Sequence, residues 1–107
     1  MSKFIYLYRG PATPMETFTP EQSAEQMKAW TDWMGGIGTA LVDQGAPFAG
    51  RAAVADDGSN AAPADENGYT IVEADSLEGA KALLKGHPFL TEGKGRFAVD
   101  IYELAPM

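Results

Sequence analysis

With 107 residues, of which 45% are hydrophobic and 21% charged, the chain is long enough for one domain with a buried core, and we expect a single domain over residues 1–107. Eight basic residues against fifteen acidic ones leave a formal net charge of -7, which argues against nucleic acid and anionic membranes as partners. The absence of cysteine and the presence of a single histidine exclude disulfides, thiolate nucleophiles and Cys- or His-rich metal sites, so we predict no metal.

The first predicted element is a strand over Lys3–Tyr8, an apolar and aromatic run that ends at the turn-forming residues Arg9-Gly10-Pro11. A surface loop over 10–19 follows. The opening run is too short for the apolar segment of a secretory signal, and no apolar run approaches the roughly 20 residues of a membrane helix. We therefore expect a soluble, cytoplasmic protein.

A long amphipathic helix is predicted next. Thr19 and Gln22 have the spacing of an N-terminal capping box, with Pro20 at the first helical position. Apolar residues then recur at steps of three and four: Ala24, Met27, Trp30, Met34, Ile37 and Leu41. We predict that the helix runs to about Gln44 and ends at Gly45. Three glycines weaken it by about 1 kcal/mol each relative to alanine: Gly35, Gly36 and Gly38.

The second half of the chain supplies three more strands and a second helix. In order, the predictions are a strand over 46–55, a turn over 56–60, a loop over 61–68, a strand over 69–74, a helix from 77 to Gly86, a loop over 87–95 and a strand over 96–104. Asp75 or Ser76 can cap the second helix. The order β-α-β-β-α-β predicts a ferredoxin-like α+β domain, with an antiparallel sheet, both helices on one face and the first and third strands at its centre.

One face of such a sheet is left uncovered by helices. We predict that Ile5 and Leu7 face the helices and that the uncovered face is rich in rings. The residues predicted there are Phe4, Tyr6, Tyr8, Asp100 and Tyr102. Several exposed rings are unusual on a soluble monomer. We therefore predict a homodimer whose two sheets enclose a partly aromatic interior.

A recognisable pattern occupies the C-terminal half. It consists of GYTIVEADSLEGA at 68–80, KGHPFL at 85–90, Gly93, and the closing strand to Glu103-Leu104. This pattern resembles the C-terminal half of YCII-related (DGPF-type) proteins, and the opening strand and long helix are similar in layout. The resemblance implies a dimeric α/β barrel, akin to the domains of muconolactone isomerases and small antibiotic-biosynthesis-type monooxygenases. Most members of the family lack an assigned activity.

The chain departs from that family at two places. The DGPF motif would lie before Gly68, where this chain has AAPADEN at 61–67. In one branch of the family, a histidine on the first helix is proposed to act with an aspartate, but the corresponding stretch here, QMKAW at 26–30, contains no histidine. Within the segment that resembles the family, His87 is the imidazole that could replace it.

Two side chains are candidates for proton transfer. His87 has an ordinary pKa close to neutrality, and Asp75 or Asp100 could orient it. The alternative is a surface or loop-capping histidine at a helix C-terminus, beside Pro88. Asp100, next to rings in an enclosed space, would have a raised pKa and act as an acid or base, whereas at the rim it would be solvated.

Five side chains are candidates for ligand binding. Arg9 could grip a ligand carboxylate or form a surface ion pair. Three tyrosines could bind an aromatic or quinone-like ligand by stacking and by hydrogen bonds from their hydroxyls, or could instead pack at the dimer interface: Tyr6, Tyr8 and Tyr102. Of the two tryptophans, we predict that Trp30 packs in the core and that Trp33 seals an edge or a pocket mouth.

Two functions fit these residues. The first is a YCII-like small-molecule-binding protein that acts, without a cofactor, as an acid–base enzyme on a small aromatic or lactone-like compound in a dimer cavity. The second is a non-catalytic dimeric accessory or sensor module with a packed interior. An enzyme needs a solvent-reaching cavity of about 300 Å³ or more with converging polar groups, and a packed module does not.

Overall fold

The structure is a computed structural model that describes residues 1–10, 19–90, 93 and 95–106. Most of the predicted loop over 10–19, and residues 91, 92 and 94 of the loop over 87–95, lie outside the described residues. The elements are β1 (Ser2–Arg9), α1 (Pro20–Ile37), β2 (Leu41–Asp43), β3 (Ala53–Val54), β4 (Asn60–Ala61), β5 (Glu66–Ala74), α2 (Leu77–Ala82) and β6 (Ala98–Glu103). Short 3₁₀ turns occupy Gly38–Ala40 and Pro88–Leu90.

Within the described part of the chain, four strands form the main sheet, in the order β2-β5-β1-β6 with antiparallel pairing throughout. The first and third strands of this sheet, β1 and β5, therefore lie at its centre, and both helices pack on one face. This confirms the predicted α+β, ferredoxin-like fold. Among the residues that the structure describes, the two-residue strands β3 and β4 pair only with each other, in a separate hairpin.

The start of α1 follows the predicted capping box. The Gln22 N–H donates to Thr19 Oγ1 at 3.1 Å, and the Thr19 N–H donates to Gln22 Oε1 at 2.9 Å. Two of the N–H groups that a helix start leaves without partners are thereby satisfied. Ser76 caps α2 in a similar way, since its Oγ accepts the Gly79 N–H at 3.0 Å.

The predicted end of α1 is wrong. The helix ends at Ile37, because Gly38 takes a left-handed φ of 56° and its N–H closes the last turn on the Met34 carbonyl. Leu41, which continues the apolar period of the helix, instead begins β2 opposite Val72. A three-residue strand at the edge of a sheet is too short to be distinguished from a helix end by its pattern.

The predicted second strand over 46–55 is also wrong. The sheet takes residues 41–43 instead, and within 46–55 only Ala53–Val54 is a strand, in the hairpin. The chain does continue beside β5 for a short distance, where the Phe48 N–H donates to the Asn67 carbonyl at 2.8 Å. Gly45 turns the chain between these parts with a φ of 72°.

The two faces of β1 are the reverse of the prediction. Phe4, Tyr6 and Tyr8 are buried under the helices, and the Tyr6 hydroxyl donates to the Ala80 carbonyl of α2. Ile5 and Leu7 lie on the other side. Strand alternation separates the two sets but does not say which set faces the helices when both are apolar. The large rings fill the deeper space between the sheet and α1.

We call the side of the sheet away from the helices the open face. Strand register places on it an apolar and aromatic group, Ile5, Leu7, Tyr69, Ile71 and Tyr102, and a charged group, Lys3, Arg9, Glu66, Glu73 and Asp100, all partly exposed or exposed. The buried core lies on the opposite side and comprises Phe4, Tyr6, Tyr8, Trp33, Val72, Ala74, Ala80 and Leu84. No helix within the described ranges has both the length and the apolar composition needed to traverse a bilayer.

Candidate functional site

His87 lies in the turn between α2 and the 3₁₀ turn at Pro88–Leu90. Its own backbone is tied at both ends, since its N–H donates to the Leu84 carbonyl at 2.9 Å and its carbonyl accepts the Leu90 N–H at 3.1 Å. The side chain points under α1 and is only 1% exposed. A polar ring at that depth needs partners for both nitrogens.

Both ring nitrogens of His87 have such partners. Nδ1 accepts the Phe89 N–H at 3.0 Å, so Nδ1 carries no proton and the neutral ring is protonated on Nε2. Nε2 lies 3.1 Å from the Tyr8 oxygen and donates to it. The Tyr8 hydroxyl donates to Thr70 Oγ1 at 2.6 Å, and Thr70 donates to the Gln44 carbonyl at 3.1 Å. The result is a directional chain from His87 across β1 and β5 to the segment after β2.

Aromatic rings surround the imidazole. Ring centroids of Trp33, Trp30 and Tyr8 lie 4.2, 4.6 and 5.3 Å from that of His87. Burial in this apolar setting lowers the pKa of His87 to about 4, and burial also raises the pKa of Tyr8 to about 12. Both groups are therefore neutral near pH 7. The alternative prediction of a surface or loop-capping histidine holds in part: His87 is buried, but it does accept a backbone N–H, that of Phe89.

Neither predicted partner of His87 bonds to it, and Asp75 is exposed in the bend before α2. Asp100 sits on the open face, where both its oxygens are held by Arg9, Nε to Oδ2 at 2.8 Å and Nη2 to Oδ1 at 3.0 Å. The hydrogen bond from Arg9 lowers the pKa of Asp100, contrary to the raised pKa expected for an enclosed carboxyl, and the side chain is 25% exposed, closer to the alternative of a solvated position. The predicted ion pair of Arg9 is present, with the side chain 53% exposed.

The candidate site residues thus fall on opposite sides of the sheet. The helix side holds His87, Tyr6, Tyr8 and Trp33, and the open face holds Arg9, Asp100 and Tyr102. Within one chain, His87 and Asp100 cannot act on the same molecule. Tyr102 is 56% exposed and shares no face with Tyr6 and Tyr8, contrary to prediction.

A groove of about 600 Å³ runs between α1 and the end of α2. Trp33, Gly36, Leu83 and Lys85 contribute to its walls. The indole of Trp33 is fixed there by its Nε1–H, which donates to the Leu83 carbonyl at 2.9 Å. The same indole packs on His87, so it separates the imidazole from the groove. Trp33 lines the groove as predicted but is also buried, whereas Trp30 packs against the core and is only half-buried.

Gly36 keeps one wall of this groove open. A Cβ atom added at Gly36 would meet nothing within 4 Å, so no neighbour presses against the helix there. The glycines at 35, 36 and 38 were visible in the sequence and could have pointed to this open wall. Lys85 and Thr70 were missed because their neighbours come from distant parts of the chain. The described residues contain no group of three or more His, Asp or Glu side chains that could hold a metal ion.

Comparison with known proteins supports the fold. No protein-family model matches the chain, and no curated protein matches its sequence. Among solved structures, the chain is similar to 5-chloro-2-hydroxyhydroquinone dehydrochlorinase (TftG) from Burkholderia phenoliruptrix AC1100, solved in complex with 2,5-dihydroxybenzoquinone. The TM-score is 0.59 at 15% identity, over 96% of this chain and 93% of that one. This likeness shows a shared fold, and the YCII resemblance of the sequence stays a prediction.

Proposed function

We propose that the protein binds a small aromatic compound in the groove between α1 and α2. The observation that carries this proposal is the opening itself: about 600 Å³ of space bounded by the indole of Trp33 and left unfilled at Gly36. Ligand sites of this kind measure about 300 to 1,000 Å³ and combine apolar walls with a few polar groups. The groove meets both conditions.

The lining favours a flat ring with an acidic oxygen. Trp33 offers an aromatic surface, and the Lys85 ammonium supplies a cation for a phenolate or carboxylate. The Asp32 carboxylate also lines the groove, where it is paired with Lys28 at 2.9 Å. Because the solved relative with the same fold holds 2,5-dihydroxybenzoquinone, hydroxylated benzoquinones and hydroquinones are the first compounds to test.

We assign any proton transfer in this groove to His87 rather than to Asp100. His87 lies directly behind Trp33, and its Nε2–H and the Tyr8 hydroxyl act as one hydrogen-bonded unit. A ligand that displaces the Trp33 indole reaches this unit first. Asp100 is on the other side of the sheet and is engaged by Arg9.

A matched pair of glycine variants tests the groove. Gly36→Leu places a side chain in the groove, and Gly35→Leu places the same side chain on the same helix outside the lining, where a Cβ also meets nothing within 4 Å. Binding of 2,5-dihydroxybenzoquinone is followed by NMR at the Trp33 Nε1–H. We expect binding to be lost in Gly36→Leu and kept in Gly35→Leu. Equal binding by both variants would reject the groove as the site.

A second candidate, a non-catalytic homodimer, is favoured by two observations. Both ring nitrogens of His87 are already satisfied by protein partners, and the open face presents Ile5, Leu7 and Ile71 only partly covered. Pairing of two open faces would remove this apolar surface from water. A bound compound recovered unchanged after long incubation with stoichiometric protein would favour this candidate over an enzyme.

The homodimer has its own test. Ile71→Arg places a charge at the middle of the open face, and Met27→Arg places one on an exposed part of α1, where Met27 is 71% exposed. Sedimentation velocity at micromolar concentration should show a dimer for the wild type and Met27→Arg, and a monomer for Ile71→Arg. A monomer in all three would remove the dimer from the proposal.

A further inference from the structure

A bulge on the open face brings a third charged residue to Arg9 and Asp100. Leu7 pairs with Tyr69, so regular antiparallel pairing would set Arg9 opposite Asn67. The register shifts there, and Arg9 lies opposite Glu66 instead. Asn67 is turned to the loop, where its Nδ2 donates to the Gly10 carbonyl at 2.8 Å. The bulge therefore places Glu66, which the sequence did not single out, beside an existing ion pair.

The Glu66 carboxyl is incompletely satisfied as an anion. Its Oε2 is shut off from solvent and, among the described residues, has no donor. Both prongs of the Arg9 guanidinium are used by Asp100, whose carboxyl lies within hydrogen-bonding reach of Glu66. Two ionised carboxylates can only accept, so they cannot bond to each other. A proton on Glu66 supplies the missing donor. The pKa of Glu66 is raised, mainly because the carboxyl is buried and secondly because the Asp100 carboxyl lies beside it.

We infer that Glu66 and Asp100 share one proton, and that the open face pairs more tightly with a second copy of this chain while that proton is held. The inference rests on the homodimer of the proposed function. With the proton, the three groups are neutral together, and without it they carry one negative charge. Sealing two such clusters in an interface costs more when each is charged. Dimer formation therefore takes up protons.

The direction of the pH dependence depends on every charged group near Glu66. Arg9 on β1 lowers its pKa, whereas Asp100 on β6 and the preceding Asp65 raise it. Tyr102 on β6 lies close enough to interact with Arg9. Because the pKa of Glu66 is raised on balance, the proton is held at low pH and lost as pH rises, so the dimer is tightest at low pH.

Sedimentation across pH, with two glutamine variants, tests the inference. Glu66→Gln mimics the protonated acid, and Glu73→Gln removes a carboxylate from the same face, opposite Lys3. Between about pH 5 and pH 8, we expect the dissociation constant of the wild type and of Glu73→Gln to rise about tenfold or more, which corresponds to about 1.4 kcal/mol. Glu66→Gln should dimerise tightly throughout. The same pH dependence in Glu66→Gln would overturn the inference.

A direct titration of the Glu66 carboxyl tests the shared proton independently of whether the chain dimerises. The Glu66 carboxyl carbon is followed by NMR in the wild type and assigned by its loss in Glu66→Gln. We expect it to titrate above the ordinary glutamate range of about 4.3, whether or not the chain dimerises. A dimer without any pH dependence overturns the linkage and leaves the proposed dimer intact. No dimer at any pH contradicts the dimer and the linkage, and an ordinary Glu66 titration contradicts the shared proton.

Discussion

Tyr8 and His87 are 79 positions apart in the chain, and the Tyr8 oxygen lies 3.1 Å from His87 Nε2. With Nδ1 engaged by the Phe89 N–H at 3.0 Å, this contact fixes a single neutral tautomer. Adding a proton to the ring would require breaking the bond to Phe89 and placing a charge among buried rings. The imidazole is therefore held ready to donate from Nε2, which is a different role from that of an exposed general base.

This environment makes stability depend on pH. The pKa of His87 is about 4 in the folded chain and about 6.5 when unfolded, so the unfolded chain binds the extra proton between these values. Stability from this group is complete above about pH 6.5 and is lost as pH falls towards 4. We expect the wild type to lose about 2 to 3 kcal/mol of unfolding free energy from this source between pH 7.5 and 4.5.

The control for that prediction is His87→Gln, which cannot titrate. Urea denaturation at the two pH values gives the loss for each protein, and the difference between the losses isolates His87 from the carboxylates. Equal losses in the wild type and His87→Gln would show that the folded pKa is not lowered. ¹⁵N NMR of the wild-type ring should also report a proton on Nε2.

Removing one hydroxyl from each buried tyrosine should have unequal effects. Tyr8→Phe breaks the bonds to both His87 and Thr70 and leaves the imidazole N–H buried without an acceptor. We expect a loss of about 2 to 3 kcal/mol, since an unsatisfied buried group costs about 1 to 3 kcal/mol. Tyr6→Phe breaks only the bond to the Ala80 carbonyl, and about 1 kcal/mol is expected. Chemical denaturation measures both, and a larger loss for Tyr6→Phe would contradict this ranking.

The order of elements could be predicted from the sequence because its signals are local. The capping box at Thr19 and Gln22 depends on neighbouring residues, and so does the serine cap of α2. The facing of β1 could not be predicted, because Ile5 and Leu7 are as apolar as the tyrosines between them. Which set is covered is decided by α1, which packs Trp30 against Tyr8 with centroids 5.6 Å apart.

Only part of the candidate site could be predicted from the sequence. His87 stood out because it is the only histidine. Tyr8, which bonds to it, and Thr70, which bonds to Tyr8, lie on two strands and have no sequence spacing to His87 that could reveal them. Glu66 could not be found at all, because regular pairing places Asn67 opposite Arg9 and the bulge that replaces it is a property of the sheet.

Two glycines with similar backbone angles should respond differently to alanine. Gly45 has a φ of 72°, and its added Cβ would lie 1.7 Å from the Tyr69 carbonyl oxygen. Gly58 has a φ of 86° with nothing within 4 Å of the added Cβ. Gly58→Ala should cost about 1 kcal/mol, from backbone strain alone. Gly45→Ala should cost at least about 2 kcal/mol more, because the backbone beside β5 must move. Equal thermal shifts would show that the turn at Gly45 relaxes freely.

The charges next to Glu66 should move its titration in opposite directions. Asp100→Asn removes the carboxylate that raises the pKa of Glu66 and keeps Arg9, so we expect that pKa to fall, while burial holds it above the ordinary value. Arg9→Met removes the cation that lowers it, so the pKa should rise. NMR of the Glu66 carboxyl carbon measures both variants. An unchanged Glu66 pKa in both variants would mean that burial alone sets it and that Asp100 does not share its proton.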